Sequence, residues 1–406
     1  MDYVRLVQGF KNGLQIRYVI WVSSHRTTTR TYGYVSVGSA TSTYVSMLTT
    51  IMHDPDQFFK DLTDKYKYLL KGVGPPEYHL GGNFGRDEDG TLYWSAKTYV
   101  QKMLDNFERM YGHQPRRYSS PLDKDDHPEV DESDLLDFKG TKLYQSMIGA
   151  LQWSITLGRF DIACAVMCLS RFRAAPRQGH MDRVHRVYGY LRKNPSAAIR
   201  FRTGIPPNEE IYPMASEHDW SETVYGSYRE EIPDYFPVPM GKMVRTTTYV
   251  DANLMHCLVT GKSCTGIIHM VNQTPVDWFS KRQNTVETAT YGSEFMAARI
   301  ATEQIMDLRI TLMSMGVPLD GPSWMLGDNQ SVITSSTVPK SMLSKRHNAL
   351  SYHRVRAAIA AKIVKFCKIP GTENPSDVCT KFLPYAVFWP LIQPLLFWAG
   401  ETDRSL

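Results

Sequence analysis

From Thr246 onward the chain carries an order of periodicities that few architectures can satisfy. Residues 246–253, 266–272 and 276–280 are short runs rich in β-branched and aromatic residues and read as three strands. A long helical pattern follows over 287–315. Then come a strand at 323–327, a helix at 347–361, a strand at 364–369 and a short final helix at 375–382. Five strands interleaved with helices in this order argue an α/β class domain, a mixed sheet flanked by helices.

Upstream, composition divides the chain. Residues 1–50 look irregular: the run 23–50 is rich in Ser, Thr, Gly and Tyr and has no period that could define a core face. Order is expected from Asp54, where Asp followed by Pro55 makes a helix start, and Phe58, Phe59, Leu62 and Tyr66 then recur at helical spacing. Within 51–118, residues 78–86 and 91–95 flank the turn Asp87-Glu88-Asp89-Gly90 as a hairpin, and 98–111 reads as an amphipathic helix. Residues 119–140 are acidic and proline-containing and read as a linker. The segment 141–202 is helical, over 142–173 and 181–192, with apolar faces such as Met147/Leu151 and Val184/Tyr188/Leu191. Residues 203–245, rich in Pro, Glu and Tyr, make a second linker before the α/β unit of 246–383. The tail, 384–406, begins apolar but is interrupted by Pro384, Pro390 and Pro394. It is too broken for a membrane span and is expected to pack against a partner surface.

Lys+Arg 46 against Asp+Glu 41 gives a net charge of only +5, compatible with a nucleic-acid partner without requiring one. Cys164, Cys168, Cys257, Cys264, Cys367 and Cys379 are scattered and form no CxxC pair, so a zinc site is not expected and buried free thiols of a reducing compartment are. The N-terminus lacks the charged start and apolar core of a signal peptide, and a cytoplasmic location is expected.

Four carboxylates stand out by position: Asp251 on the first strand, Glu294 in the first turns of the long helix, Asp328 at the end of the fourth strand, and Asp377 at the start of the last helix. A single Asp at a strand end or helix start is ordinarily a cap. Carboxylates among apolar and small neighbours, in this element order, have another meaning. Held together they repel one another unless cations neutralise them, and hard oxygen ligands suit Mg²⁺. Two such ions about 3.5–4 Å apart serve phosphodiester hydrolysis.

These segments resemble the ribonuclease H domain of copia-type LTR retrotransposon Pol polyproteins. The resemblance runs through Tyr249-Val250-Asp251-Ala252-Asn253, Asp277-Trp278-Phe279-Ser280-Lys281-Arg282-Gln283 and Glu294. It continues through Gly327-Asp328-Asn329-Gln330-Ser331, Tyr352-His353-Arg354 and Asn374-Pro375-Ser376-Asp377-Val378-Cys379-Thr380-Lys381. It implies a ribonuclease H-like five-stranded mixed sheet in which Asp251, Glu294, Asp328 and Asp377 are catalytic and hold two Mg²⁺ ions, with Mn²⁺ as a substitute. It also implies an RNA–DNA hybrid as partner, bound along its backbone by Lys281, Arg282, Lys345, Arg346, His347 and His353, and other parts of the Pol polyprotein as neighbours. A solvated basic face is the competing reading of the lysines and arginines.

Upstream, Leu69-Leu70-Lys71-Gly72 and His79-Leu80-Gly81-Gly82 resemble the end of a reverse transcriptase palm, and Tyr144 to Leu151, Arg159 to Ala163 and Leu169 to Phe172 its thumb and connection. Family polymerases need a Tyr-Val-Asp-Asp turn, which counting back from Asp54 places at Tyr44-Val45-Ser46-Met47. Ser46 and Met47 cannot hold a metal pair, so polymerase activity is expected to be lost, with the fingers and early palm outside the chain. Ser46-Met47-Leu48-Thr49-Thr50 can be encoded TCT-ATG-TTG-ACG-ACC, and a shift of two nucleotides reads it as Tyr-Val-Asp-Asp. The segment before about Thr50 is therefore read as out of frame. Three functions stay open: an active ribonuclease H, a non-catalytic nucleic-acid-binding remnant, and a functional reverse transcriptase if the frame is in error.

Overall fold

The computed structural model describes residues 77–205, 218–343 and 348–397. The expected helix at Asp54, the degenerate turn Tyr44, Val45, Ser46 and Met47, and the basic residues Lys345, Arg346 and His347 lie outside them.

The first sheet is antiparallel, in the order β1 (Tyr78–His79), β2 (Gly82–Arg86), β3 (Leu92–Ser95) and β4 (Ala198–Arg200). Its β2–β3 hairpin turns where expected, with Gly90 at φ +81 in the left-handed region that glycine tolerates. Strand β4 arrives from a hundred residues downstream and pairs Trp94 with Ile199. Between β3 and β4 lie α1 (Lys97–Tyr111), α2 (Phe138–Thr156), α3 (Ala163–Leu169) and α4 (Gln178–Lys193). Helix α1 buries Val100, Met103, Leu104 and Phe107, an i, i+3, i+4, i+7 stripe. Asp137 caps α2 by accepting from the Gly140 amide at 2.7 Å.

Two differences from the sequence reading appear here. The helix expected over 142–173 breaks after Thr156, where Gly158 takes φ +108. The break lets Arg159 reach Asp161 in a buried pair, Nη2 to Oδ2 2.7 Å, with Tyr190 donating its hydroxyl to the same oxygen at 2.7 Å. The acidic stretch 119–140 does not hang free as a linker. Arg183 binds Asp126 at 2.8 Å and Asp131 at 2.6 Å, Arg186 binds Asp123 at 2.7 Å, and Leu122 is buried, so the stretch is docked along α4.

The second sheet has the order β7-β6-β5-β8-β9. Strands β5 (Thr246–Asn253), β6 (Cys264–Val271) and β7 (Thr274–Arg282) form an antiparallel meander, whereas β8 (Ser323–Gly327) and β9 (Val364–Lys368) run parallel to β5. The five-stranded mixed sheet expected from the sequence is present. Helix α5 (Thr290–Ser314) lays Phe295, Ala298, Ala301 and Ile305 on it, meeting Val250, Ile267, Met325 and Phe366 in one core. After β8 a helix that the sequence reading missed, α6 (Gln330–Thr337), precedes α7 (Ala349–Ala360). Trp220 and Tyr225, from the expected second linker, bury themselves against α7. The final helical turn is short, a 3-10 turn at Pro375–Cys379.

The tail departs most from expectation. Residues Tyr385–Leu396 form α8 despite Pro390 and Pro394, and Phe388, Leu391, Ile392 and Leu396 are buried within this chain. Phe388 meets Tyr190 edge-on with centroids 5.8 Å apart. Its apolar face is used against its own chain rather than a partner. Among the described residues, no helix is long and apolar enough to cross a membrane.

Candidate acidic active site

Strand β5 is covered on both faces, so a polar side chain on it is enclosed, and Asp251 is only 1% exposed. Its cross-strand partner is Gly266. A Cβ there would lie 2.6 Å from the Ser376 carbonyl oxygen and 2.5 Å from Thr380 Cγ2, so glycine is what lets the Pro375–Cys379 turn rest on the sheet. Asn374 fastens that turn, donating from Nδ2 to the Val250 carbonyl at 3.0 Å and accepting from the Ser376 hydroxyl at 2.6 Å. Asp377 is thereby fixed beside Asp251.

From the other side, α5 brings Glu294 inward from its first turns, and β8 delivers Asp328 one residue past its end. Gln283 steadies the start of α5, donating to the Ser293 carbonyl at 2.8 Å and to the Thr265 hydroxyl at 3.0 Å. Carboxylate oxygens of Asp251, Glu294 and Asp328 all lie within 4.8 Å of one another. They line a cleft of about 370 Å³ with Asn253, Thr290, Asn329 and Lys381. Asp377 joins through Lys381, whose Nζ is 2.8 Å from Asp377 Oδ1 and 3.2 Å from Asp251 Oδ2. Thr380 also donates its hydroxyl to Asp251. The four carboxylates singled out in the sequence are together.

Electrostatics follow from that crowding. Burial first, then Asp251 and Asp328, hold Glu294 well above the usual carboxylate range. Burial and Asp251 raise Asp328 as well, and the same two causes push Asp377 up to about 7. Burial alone would lower Lys381, but Asp251 and Asp377 outweigh it and keep the ammonium charged. Lys381 was not picked out from the sequence. The available signal was its position four residues after Asp377, one helical turn on and so on the same side.

The expected nucleic-acid contacts are less unified. At the end of β7, Lys281 is exposed in the row next to Asp251, Gly266 and Ser280, and Arg282 is half-buried one row further on, opposite Cys264 and Asn253. His353 is exposed on α7, but its Nδ1 is 2.5 Å from the Tyr225 hydroxyl, which ties it to the segment wrapped around that helix. Arg356, on the same helix, is a buried fastener that donates to the carbonyls of Ser335, Val338 and Pro339.

A mixed sheet in the order 3-2-1-4-5, with an acidic cleft at the ends of its central strands, defines a ribonuclease H-like α/β domain. The chain is similar to retrovirus-related Pol polyproteins of transposons, matched over most of its length. It is 25% identical over 323 residues to the Pol polyprotein from transposon TNT 1-94 of Nicotiana tabacum, covering 78% of this chain and 21% of that protein. To the Pol polyprotein from transposon RE1 of Arabidopsis thaliana it is 21% identical over 351 residues, covering 85% of this chain and 21% of the relative. The chain thus spans about a fifth of the length of these curated relatives. No protein-family model matches it. Among solved structures, the N-terminal RNase H domain of a Mycobacterium tuberculosis protein aligns with 12% identity and a TM-score of 0.27, over 37% of this chain and 98% of that one.

Proposed function

We propose that the chain is a Pol fragment whose acidic cleft cuts the RNA strand of RNA–DNA hybrids, using Mg²⁺ held by Asp251, Glu294, Asp328 and Asp377. The observation that carries this reading is the convergence of three carboxylates within 4.8 Å, with a fourth linked through Lys381. The donor set fits the ion: all oxygen and hard, with burial first and mutual repulsion second raising three of the four carboxyl pKa values. Held by these four carboxylates, Mg²⁺, or Mn²⁺ in its place, would supply activation of the attacking water and charge stabilisation of the leaving oxygen. The protein's own part is to hold the carboxylates on rigid elements and to present Lys281 and Arg282 to the backbone of the hybrid.

Polymerase activity is read as lost, because Ser46 and Met47 stand where the resemblance requires aspartates. The other parts of a Pol polyprotein remain the natural partners under this reading. A second reading, a binding remnant without catalysis, draws on Lys381 already neutralising Asp251 and Asp377.

The test is cleavage of a hybrid labelled on its RNA strand, with Mg²⁺, by the parent and by Asp328→Asn. The substitution keeps shape but removes the charge that holds a cation, so cleavage should fall by orders of magnitude while folding persists and hybrid affinity changes little. Near-parent cleavage by Asp328→Asn refutes the two-metal reading. A parent that binds the hybrid and never cleaves it gives way to the remnant reading.

A further inference from the structure

A second cluster lies behind the acidic cleft, and its donors are soft. Helix α3 carries Cys164 and Cys168 one turn apart, so both thiols leave the same face. His256 comes from the connection between β5 and β6, and one ligand atom from each of the three lies within 4.8 Å of the others. His256 Nε2 is 2.8 Å from Cys168 Sγ. Cys264, the first residue of β6, lies beside the Cys164 thiol but outside this group of three. The four are 3%, 2%, 0% and 8% exposed for Cys164, Cys168, Cys264 and His256, and all three thiols are free.

The surroundings hold this geometry from both sides. The Leu258 amide donates to Glu129 Oε1 at 2.8 Å, and Arg171 Nη2 donates to Cys257 Sγ at 2.8 Å, which clamps the β5–β6 connection to the helical layer. Asn253 Nδ2 is 3.1 Å from His256 Nδ1. The same Nδ2 also donates to the Thr380 carbonyl at 3.4 Å, tying the β5–β6 connection to the turn beside the cleft. Tetrahedral zinc, at about 2.3 Å to sulfur and about 2.0 Å to nitrogen, sets its ligand atoms about 3.5–3.8 Å apart. Cys164, Cys168 and His256 already lie within 4.8 Å of one another, and Cys264, beside Cys164, is the donor that has to move in to close the set.

We propose that Cys164, Cys168, Cys264 and His256 form a buried structural site for one zinc ion, joining α3 to the sheet directly behind Asp251. Three thiolates and one imidazole form a closed set that prefers zinc to the hard cations suited to the carboxylates in front. The spacing hid it. Two ligands come from a helix, one from the β5–β6 connection and one from the start of β6, with 88 residues between Cys168 and His256.

The test uses the full chain, purified under reducing conditions and stripped with chelator. Zinc should return at one ion per chain, and Co²⁺ alone should give tetrahedral visible bands with thiolate charge transfer that zinc abolishes. Cys168→Ser should lose both signals. Cys367→Ser, a buried thiol on β9, and Asp328→Asn in the acidic cleft should keep them. If Cys168→Ser does not fold by circular dichroism, His256→Gln takes its place and should lose the stoichiometric ion. Substoichiometric zinc with no charge transfer in the folded parent overturns the proposal. So does retention of the ion by folded Cys168→Ser or His256→Gln, or a Cys164 disulfide in the reduced preparation.

Discussion

Replacing Lys381 with methionine keeps the stem and removes the one ammonium among the described residues that ion-pairs with the cleft carboxylates. In the parent, Lys381 Nζ sits 2.8 Å from Asp377 and 3.2 Å from Asp251, and the side chain is 31% exposed. Removing one partner from a fully buried pair costs about 3–5 kcal/mol, and from a surface pair less than about 1 kcal/mol. At this exposure, with two partners, the metal-free protein should lose about 2–3 kcal/mol at pH 8. For a domain of this size that is a fall in Tm of about 6–10 °C. The loss must depend on pH. A carboxylate with a raised folded pKa keeps its proton in the folded state after the unfolded chain has released it. Its stabilisation is therefore present below the folded pKa and disappears as pH rises through it. With burial and Asp251 pushing Asp377 up to about 7, this nearer partner of Lys381 is mostly protonated at pH 5, so the variant should lose less there than at pH 8. Millimolar Mg²⁺ at pH 8 should restore the variant more than it stabilises the parent, since the ion supplies the missing charge. Differential scanning fluorimetry at pH 5 and 8, with chelator or Mg²⁺, reads all of this. Equal losses at both pH values, with no extra response to Mg²⁺, would refute the counter-ion role.

Other consequences are more direct. Glu294→Gln replaces a carboxyl that burial, then Asp251 and Asp328, hold well above the usual range, so the metal-free Tm should stay level or rise while hybrid cleavage disappears; a large destabilisation would contradict the burial and repulsion argument. Arg159→Met orphans Asp161 and Tyr190 in the helical layer and should cost about 3–5 kcal/mol in urea denaturation, whereas a change below about 1 kcal/mol would mean the pair is not the fastener it resembles. The purified chain should fail to extend a primer on an RNA template with Mg²⁺, and robust extension would overturn the reading of Ser46 and Met47.

The parts of the fold legible in the sequence are those where burial imposes a period. Strands β5 and β8 fall on the expected residues because their apolar and β-branched runs end at recognisable breaks. Helix α6 escaped because Gln330-Ser331-Val332-Ile333-Thr334-Ser335-Ser336-Thr337 is built from weak helix formers. It is held instead by the Asn329 cap, which accepts from the Val332 amide at 3.2 Å, and by burial of Val332 and Ile333. Helix α8 escaped for the opposite reason. Pro390 and Pro394 each remove a backbone donor and argue for a break, but the apolar face of Phe388, Leu391, Ile392 and Leu396 finds enough of its own chain to keep the turns wound. The acidic stretch 119–140 looked like a linker because its partners, Arg183 and Arg186, lie about sixty residues away on α4.

The site divides along the same line. A carboxylate inside an apolar strand is costly, so Asp251 announces itself in sequence, and Glu294, Asp328 and Asp377 gain meaning from their places in the element order. Lys381 carries no such signal, because a lysine one turn after an aspartate is an ordinary surface pair until β5 is brought alongside. Yet Lys381 bears on which carboxylates are charged before any cation arrives. It binds Asp251 and Asp377, while the strongest upward pressure falls on Glu294, on the far side of the cleft. A cation entering there meets three carboxylates with oxygens within 4.8 Å of one another, and Glu294 is the one held furthest above the usual carboxylate range. Lys381 stands against both Asp251 and Asp377, but Asp377 is its nearer partner, so entry near Asp377 meets the ammonium more directly. If the two positions fill unequally, the one between Asp251, Glu294 and Asp328 should fill first. A Mn²⁺ titration that finds the tighter ion abolished by Asp377→Asn but not by Asp328→Asn would show that this order is wrong.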